Sequence, residues 1–175
     1  MYHQPAQDYR PDRTATLKEA LRRFTGAVCV VTSGEGDART GATVTTAHSL
    51  SLDPPTMLVS VNRASSTFAA IERSGTFCVN LLSADRQDVA ERFSGFTGHQ
   101  GAARYEGADW LDLSTGAAAL VDALAAIDCR VDKVVHYGSH ALFFGAVETV
   151  LIGGERPSLL YGRGAYASSE PLPAL

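Results

Sequence analysis

The sequence predicts a mainly β protein, an antiparallel barrel with short helices packed on its outside. Three observations carry this expectation. Short runs rich in β-branched and aromatic residues recur along the chain and stop at turn residues, the pattern of strands. They follow one another mostly through turns and not through crossover helices, which argues against a parallel sheet. Ile127, Cys129 and Val131 alternate strictly with Asp128, Arg130 and Asp132, the two-residue period of a half-buried strand.

Met1 to Arg13 is polar, carries Pro5 and Pro11, and reads as an extended arm. Thr16 to Phe24 is the first helix. Thr16-Leu-Lys-Glu19 fits a capping box, Leu17, Ala20, Leu21 and Phe24 share one face, and Gly26 ends it. Ala27 to Thr32 is a buried strand, and Ser33 to Thr40 a turn. The segment from Gly41 returns as a second strand and stops at Pro54-Pro55. Met57 to Val61 is a third strand. Ser65 or Ser66 caps a helix through Arg73, with Gly75 as its stop. Thr76 to Leu82 is a fourth strand. Ser83 caps a helix to about Phe93, with Asp85 and Asp88 in the early turns where the helix dipole favours acids.

Ser94 to Asp112 reads as a loop holding four glycines between Gly95 and Gly107. Between Ala117 and Val135 the alanines favour helix, but alternation favours strand from about Leu124 on. His136 to Ser139 is a turn into a strand over Ala141–Ile152. Ser158 to Tyr161 is a last short strand, and Ser168 to Leu175 a tail. The expectation is six or seven strands and three short helices in a single domain spanning residues 1–175.

Composition excludes several classes. A net charge of −4 offers no footprint for nucleic acid. No apolar run approaches the roughly 20 residues that span a bilayer, and no secretory signal opens the chain, so a cytoplasmic protein is expected. Cys29, Cys78 and Cys129 each sit in an apolar run and read as buried free thiols. His136 and His140 are four apart, but Tyr137-Gly-Ser139 between them forms a turn, so no metal site is expected. There is no G-x-S-x-G elbow and no P-loop ending. Gly162-Arg-Gly164 lies too near the C-terminus to open a βαβ unit.

Asn62-Arg-Ala-Ser-Ser-Thr67 gathers hydroxyls and a guanidinium at a helix start, features suited to phosphate. On spacing alone it reads as an ordinary N-cap with a solvated arginine. Thr43, Thr45 and Thr46 likewise read as strand threonines.

Several segments resemble the flavin reductase family in that family's order. They are Gly41-Ala-Thr-Val-Thr-Thr46, Ser49 to Pro55, Ser65-Ser-Thr67, Gly75 to Leu82, Glu91 to Gly95, Ile127-Asp-Cys129, Gly138-Ser-His140, Phe144 to Glu148, and Leu159-Leu-Tyr161 with Arg163-Gly164 and Tyr166. The likeness covers about Leu17 to Tyr166. It implies a split barrel that binds FMN (or FAD), takes hydride from NADH or NADPH, forms a homodimer, and supplies reduced flavin to a separate oxygenase. By resemblance, Thr43, Val44, Thr45 and Thr46 meet the isoalloxazine largely through backbone groups, with Ser49 nearby. Asn62, Arg63, Ser65, Ser66 and Thr67 meet the ribityl phosphate, and Phe93 borders the cofactor. His140 falls on the nicotinamide side, where it is the one candidate catalytic residue, with Arg163 and Tyr166 at the same mouth. Ser139 stands where the family usually has aspartate, and Gly162 where a larger residue is common; both bear on nicotinamide handling. The alternatives are a flavin-retaining oxidase or reductase acting on an organic substrate, and a non-catalytic flavin-binding module.

Overall fold

The computed structural model describes residues 12–169, so most of the expected arm (1–13) and of the expected tail (168–175) lies outside the described residues. Helix α1 spans Arg13–Leu21. Its cap is Asp12, whose carboxylate accepts from the Thr14 and Ala15 amides at 2.9 and 3.1 Å. The Thr16–Glu19 box is therefore not the start, and Arg13 belongs to the helix. Thr16 instead donates its hydroxyl to the Asp12 carbonyl, a bond open to it only inside a helix that has already begun. Leu17, Leu21 and Phe24 remain exposed.

The expected strand over Ala27–Thr32 is divided into β1 (Thr25–Ala27) and β2 (Cys29–Ser33). The expected long strand from Gly41 is likewise two, β3 (Thr40–Val44) and β4 (Ala47–Leu52). Next come β5 (Pro55–Asn62), α2 (Ser66–Ser74) and β6 (Thr76–Leu81). Ser65 caps α2 by accepting from the Phe68 amide, and Gly75 ends it at φ 68°, a left-handed conformation that glycine adopts without strain. The helix expected from Ser83 begins as a 3-10 turn over Ala84–Arg86 before α3 (Gln87–Phe93), and Ser83 makes no capping bond. The expected loop from Ser94 holds a 3-10 turn over Gly101–Tyr105 and a strand, β7 (Trp110–Asp112).

The remaining elements are β8 (Ala118–Leu120), β9 (Ala125–Tyr137), β10 (His140–Ile152), β11 (Leu159–Gly162) and β12 (Ala165–Ser168). The alanines at 118 and 119 are thus strand, not helix. The Asn80 carboxamide accepts from the Leu120 amide at 2.7 Å and donates to the Val30 carbonyl at 3.1 Å. That pins β8 across the sheet, and burial outweighs alanine's helix propensity, which tertiary context readily overrides. Twelve strands are present among the described residues, more than the six or seven expected, because bends and short edge strands subdivide the runs.

Seven strands form one antiparallel sheet in the order β3-β2-β6-β9-β10-β5-β4. Its two edges are β3 and β4, which are consecutive in the chain and joined only by Thr45 and Thr46. Val44 and Ala47 are three Cα steps apart, at most about 11 Å. The sheet must therefore roll until its edges meet at this link, yet they do not pair. That gives the split barrel, with its seam at Thr45. The interior is filled by Val31, Val59, Val61, Phe77, Val79 and Phe143. A second cluster under α3 centres on Phe93, Leu82, Leu120 and Tyr105, and the small sheet β1-β11-β12 lies against it through Leu159 and Tyr166.

Cys29, Cys78 and Cys129 are free and buried. Burial pushes the Cys29 and Cys129 thiols up to about 12 and Cys78 well above its ordinary value. Native protein is expected to resist alkylation by iodoacetamide at pH 8, while denatured protein takes up label on all three thiols. Thiols held protonated in the fold contribute stability in full below their ordinary pKa of 9.0, and that contribution falls as pH rises from there towards about 12. A titration of unfolding free energy that stays flat above pH 9 would contradict this.

Among the described residues no helix is long and apolar enough to cross a membrane. No group of three metal-ligating side chains occurs among them either.

Candidate functional site

A cleft of about 530 Å³ opens at the seam. One wall is the end of β3, at Thr43, Val44 and Thr45. Facing it are Tyr161, Gly164, Ala165 and Tyr166 of β11, β12 and their turn, and Phe96 and Thr97 stand on the loop after α3. Because β3 pairs with β2 on one side only, its other side presents unpaired amide and carbonyl groups, as sheet edges do. Tyr161 and Tyr166 pack edge to face at 5.2 Å, and burial raises the Tyr166 phenol above its ordinary value. The result is a slot with aromatic and aliphatic sides and a hydrogen-bonding edge, a shape that takes a flat heteroaromatic ligand.

The threonines divide by role. Thr43 donates its hydroxyl to the Ala90 carbonyl of α3 at 2.6 Å, and Thr46 donates to the Ser60 carbonyl at 3.1 Å. Those hydroxyls are engaged in holding the seam. What β3 offers the cleft is therefore backbone, with the side chain of Thr45, which packs over Gly26 so closely that a Cβ there would lie 3.1 Å from it.

Of the residues singled out from sequence, Thr43, Val44, Thr45 and Tyr166 line the cleft. Arg163 adjoins it in the β11–β12 turn, where its amide donates to the Arg22 carbonyl at 2.8 Å. Phe93 does not line it; the ring is 1% exposed and packs on Tyr105 and Trp110 at 5.1 and 5.5 Å. Thr46 and Ser49 continue along the β3–β4 link and β4, outside the cleft lining.

Ser65, Ser66 and Thr67 form the first turn of α2. The Ser66 hydroxyl bonds Thr40 at 3.0 Å. Thr67 is wholly buried and its hydroxyl has no hydrogen-bond partner, an unusual state for a buried polar group.

Asn62, Arg63, Ser139 and His140 gather at the neighbouring strand end. His140 lies opposite Asn62 in the β10–β5 register. The Arg63 guanidinium donates to the Gly138 carbonyl at 3.3 Å, so it does not stand free. Ser139 Oγ and His140 Nδ1 are 2.9 Å apart, the serine occupying the position of the expected aspartate without its charge. Neither His140, Asn62 nor Arg63 lines the cleft within this chain.

Sequence reasoning missed Phe96, which is 95% exposed at the cleft. An exposed phenylalanine between Gly95 and Gly98 in a polar loop was the available signal, since a large apolar side chain there has no core to join. It also missed Tyr161 and Glu91 as lining residues, although both lay in segments that carry the resemblance.

Comparison with known proteins agrees with this geometry. Residues 21–170 match the family model described as the flavin reductase like domain. The chain is 39% identical over 156 residues to an FMN reductase (NADH) RutF of Methylorubrum extorquens, covering 89% of this chain and 77% of that one. It is 36% identical over 156 residues to the reductase subunit HsaB of a flavin-dependent monooxygenase in Rhodococcus jostii, with 89% and 77% covered. The fold superposes on an NADH:FAD oxidoreductase of Streptomyces globisporus in complex with NAD and FAD fragments. The TM-score is 0.83 at 25% identity, with 95% of this chain and 98% of that one covered.

Proposed function

Since the chain belongs to the flavin reductase like family, we propose that it is an NADH-dependent flavin reductase that passes reduced FMN to a separate oxygenase. The observation that carries this is the seam cleft, in which an open strand edge and aromatic walls meet in one slot. FMN as the flavin and NADH as the donor follow the activity named for the Methylorubrum relative; the named role of the Rhodococcus relative supports the oxygenase partner. When bound, flavin supplies the acceptor for hydride from the nicotinamide C4.

The chain's own task is placement. Thr43, Val44 and Thr45 offer backbone donors and acceptors to a ring edge, and Val44, Phe96 and Tyr166 exclude water from its faces. Transfer between two stacked rings needs proximity and no protein nucleophile or strong base, in keeping with a cleft whose only carboxylate is Glu91 at the rim. Ser65, Ser66 and Thr67 hold the phosphate end by the amides of the α2 start. Ser49, Phe93 and Thr46 act by shaping the seam. We assign Asn62 and Arg63 to the phosphate end, and His140 to the nicotinamide side with Arg163 and Tyr166; the Ser139 hydroxyl lies 2.9 Å from His140 Nδ1.

The whole of residues 1–175 is taken as one such domain, working as a cytoplasmic homodimer. The exposed apolar side chains Leu52 and Ile152, 88% and 80% exposed, support a partner surface, and three buried free cysteines suit a reducing compartment.

Steady-state kinetics test the activity. NADH oxidation is expected to rise with added FMN and to saturate with no other acceptor present. An NADH oxidation rate indifferent to FMN, with turnover of an organic substrate by flavin retained on the protein, would replace this reading.

A further inference from the structure

The seam cleft meets α3 at its C-terminal end, the negative end of the helix dipole. Glu91, in the last turn, is the one charged side chain in the cleft wall; no lysine, arginine or histidine stands with it among the described residues that line the cleft. The nearby cations are engaged elsewhere. Arg92 donates to the Ala103 carbonyl at 3.3 Å and faces Glu106 at 4.0 Å. Arg163, beside the cleft, lines a separate hollow with Glu19, Arg22 and Arg23.

Glu91 is held at both its main chain and its side chain. Its carbonyl accepts from the Ser94 amide at 3.2 Å and from the Ser94 hydroxyl at 2.7 Å, where the loop bearing Phe96 and Thr97 begins. Its Oε1 accepts from the Gln87 carboxamide, one turn earlier, at 2.7 Å. Burial raises the Tyr166 phenol on the facing wall, and the Glu91 charge adds to that rise, so the charge is felt across the slot. Hydride transfer changes what this charge meets. The C4–H bond of the dihydronicotinamide breaks, its hydrogen and electron pair go to the ring, and the oxidised nicotinamide is left as a cation. The ring is thereby one negative charge richer. A carboxylate with no cation to offset it is nearly indifferent to the neutral oxidised ring and repels the reduced one.

We infer that Glu91 is a specificity-determining residue that reads the redox state of the flavin, so that the cleft takes up oxidised FMN and releases the reduced form. The inference rests on the reading of the seam cleft as the ring site. Glu91 supplies the charge, Gln87 holds one of its oxygens, and the absence of a lining cation leaves the repulsion uncompensated.

Anaerobic titration of the full-length protein at pH 8 with oxidised and with dithionite-reduced FMN, in wild type, Glu91→Gln and Glu91→Asp, tests it. Wild type is expected to bind reduced FMN about 10-fold more weakly than oxidised FMN, the order for two unit charges in a partly solvated cleft. For a two-electron couple that ratio puts the potential of bound FMN about 30 mV below that of free FMN. Glu91→Gln removes the charge and keeps the shape. It is expected to bring the two dissociation constants within about twofold of each other, and the bound potential within about 10 mV of the free one. Its affinity for oxidised FMN should stay within about twofold of wild type. Glu91→Asp, which keeps the charge, is expected to retain a ratio of at least about fivefold. Equal weakening of both redox states in Glu91→Gln would show that Glu91 merely ties down the loop, and an unchanged ratio would remove its charge from the site; either overturns the assignment. Should Glu91→Gln fail to fold, ionic strength replaces it as the probe. Added salt is expected to shrink the wild-type ratio, since the phosphate is common to both forms, and a ratio indifferent to salt overturns the assignment. Wild-type protein that binds neither form overturns the cleft reading itself, a result distinct from all of these.

Discussion

Phe93→Ala is expected to destabilise the protein by about 3–5 kcal/mol, the cost of emptying a large buried aromatic site. For a chain of this length that is a fall in Tm of about 6–20 °C. The expectation follows from where the ring sits. It lies at the centre of an aromatic trio in which Tyr105 and Trp110 are themselves 4.8 Å apart. Tyr105 in turn donates its hydroxyl to the Thr40 carbonyl at 2.7 Å. On the opposite side Phe93 presses on β3 at Gly41, where an added Cβ would lie 2.8 Å from the ring and 2.7 Å from the Val31 carbonyl oxygen. Glycine is required at 41 because the ring needs that space.

Phe93 therefore positions the β3 edge from behind. Phe93→Leu, which keeps most of the volume, is expected to cost about 1–2 kcal/mol and to leave the FMN Kd within about twofold. Chemical denaturation and flavin titration on the same samples separate the two roles. A Phe93→Leu protein of wild-type stability with badly impaired flavin binding would return Phe93 to direct contact with the cofactor.

Ala165→Trp is the functional counterpart. Ala165 is exposed on β12 and lines the cleft, so an indole there fills the slot without disturbing the core. Flavin affinity is expected to fall at least about 100-fold, about 2.8 kcal/mol. Stability should change by no more than about 0.5 kcal/mol, as is usual for an exposed site. Wild-type flavin affinity in a folded Ala165→Trp protein would place the ring elsewhere.

The sequence revealed the strands that carry their own signal. Ile127 to Val131 alternates in residue type and is strand, although Asp128 on the expected polar face is buried and accepts from Thr115, and α2 announced both ends through Ser65 and Gly75. The strands that depend on tertiary contact were not legible. Ala118 and Ala119 are strand because Asn80, distant in sequence, receives the Leu120 amide. Strand β12, which the sequence left unassigned between the last expected strand and the tail, follows a turn, Arg163-Gly164, with positive φ at both residues, 55° and 80°. That geometry suits a two-residue hairpin, but an arginine gives no sign of it. The seam was hidden most completely. Gly41 to Leu52 looks like one strand, and only the pairing of β3 with β2 and of β4 with β5 shows the chain leaving one edge of the sheet for the other.

The candidate site was legible in the same uneven way. Thr43 to Thr45 and Tyr166 meet in the cleft, whereas His140 lies with Asn62 and Ser139 at another strand end. Cleft-lining Phe96 lies in a glycine-rich loop whose course is set by tertiary contacts, among them the bonds of Arg104 to the His99 and Gly41 carbonyls.

The most direct test of the proposed activity is an anaerobic titration of FMN with NADH in the presence of catalytic amounts of protein, followed by flavin absorbance. Wild type is expected to bleach FMN in proportion to the NADH added, and Ala165→Trp to bleach it at least about 100-fold more slowly at sub-saturating FMN. Unbleached FMN with the wild-type protein would contradict the account, and so would equal rates with the two proteins.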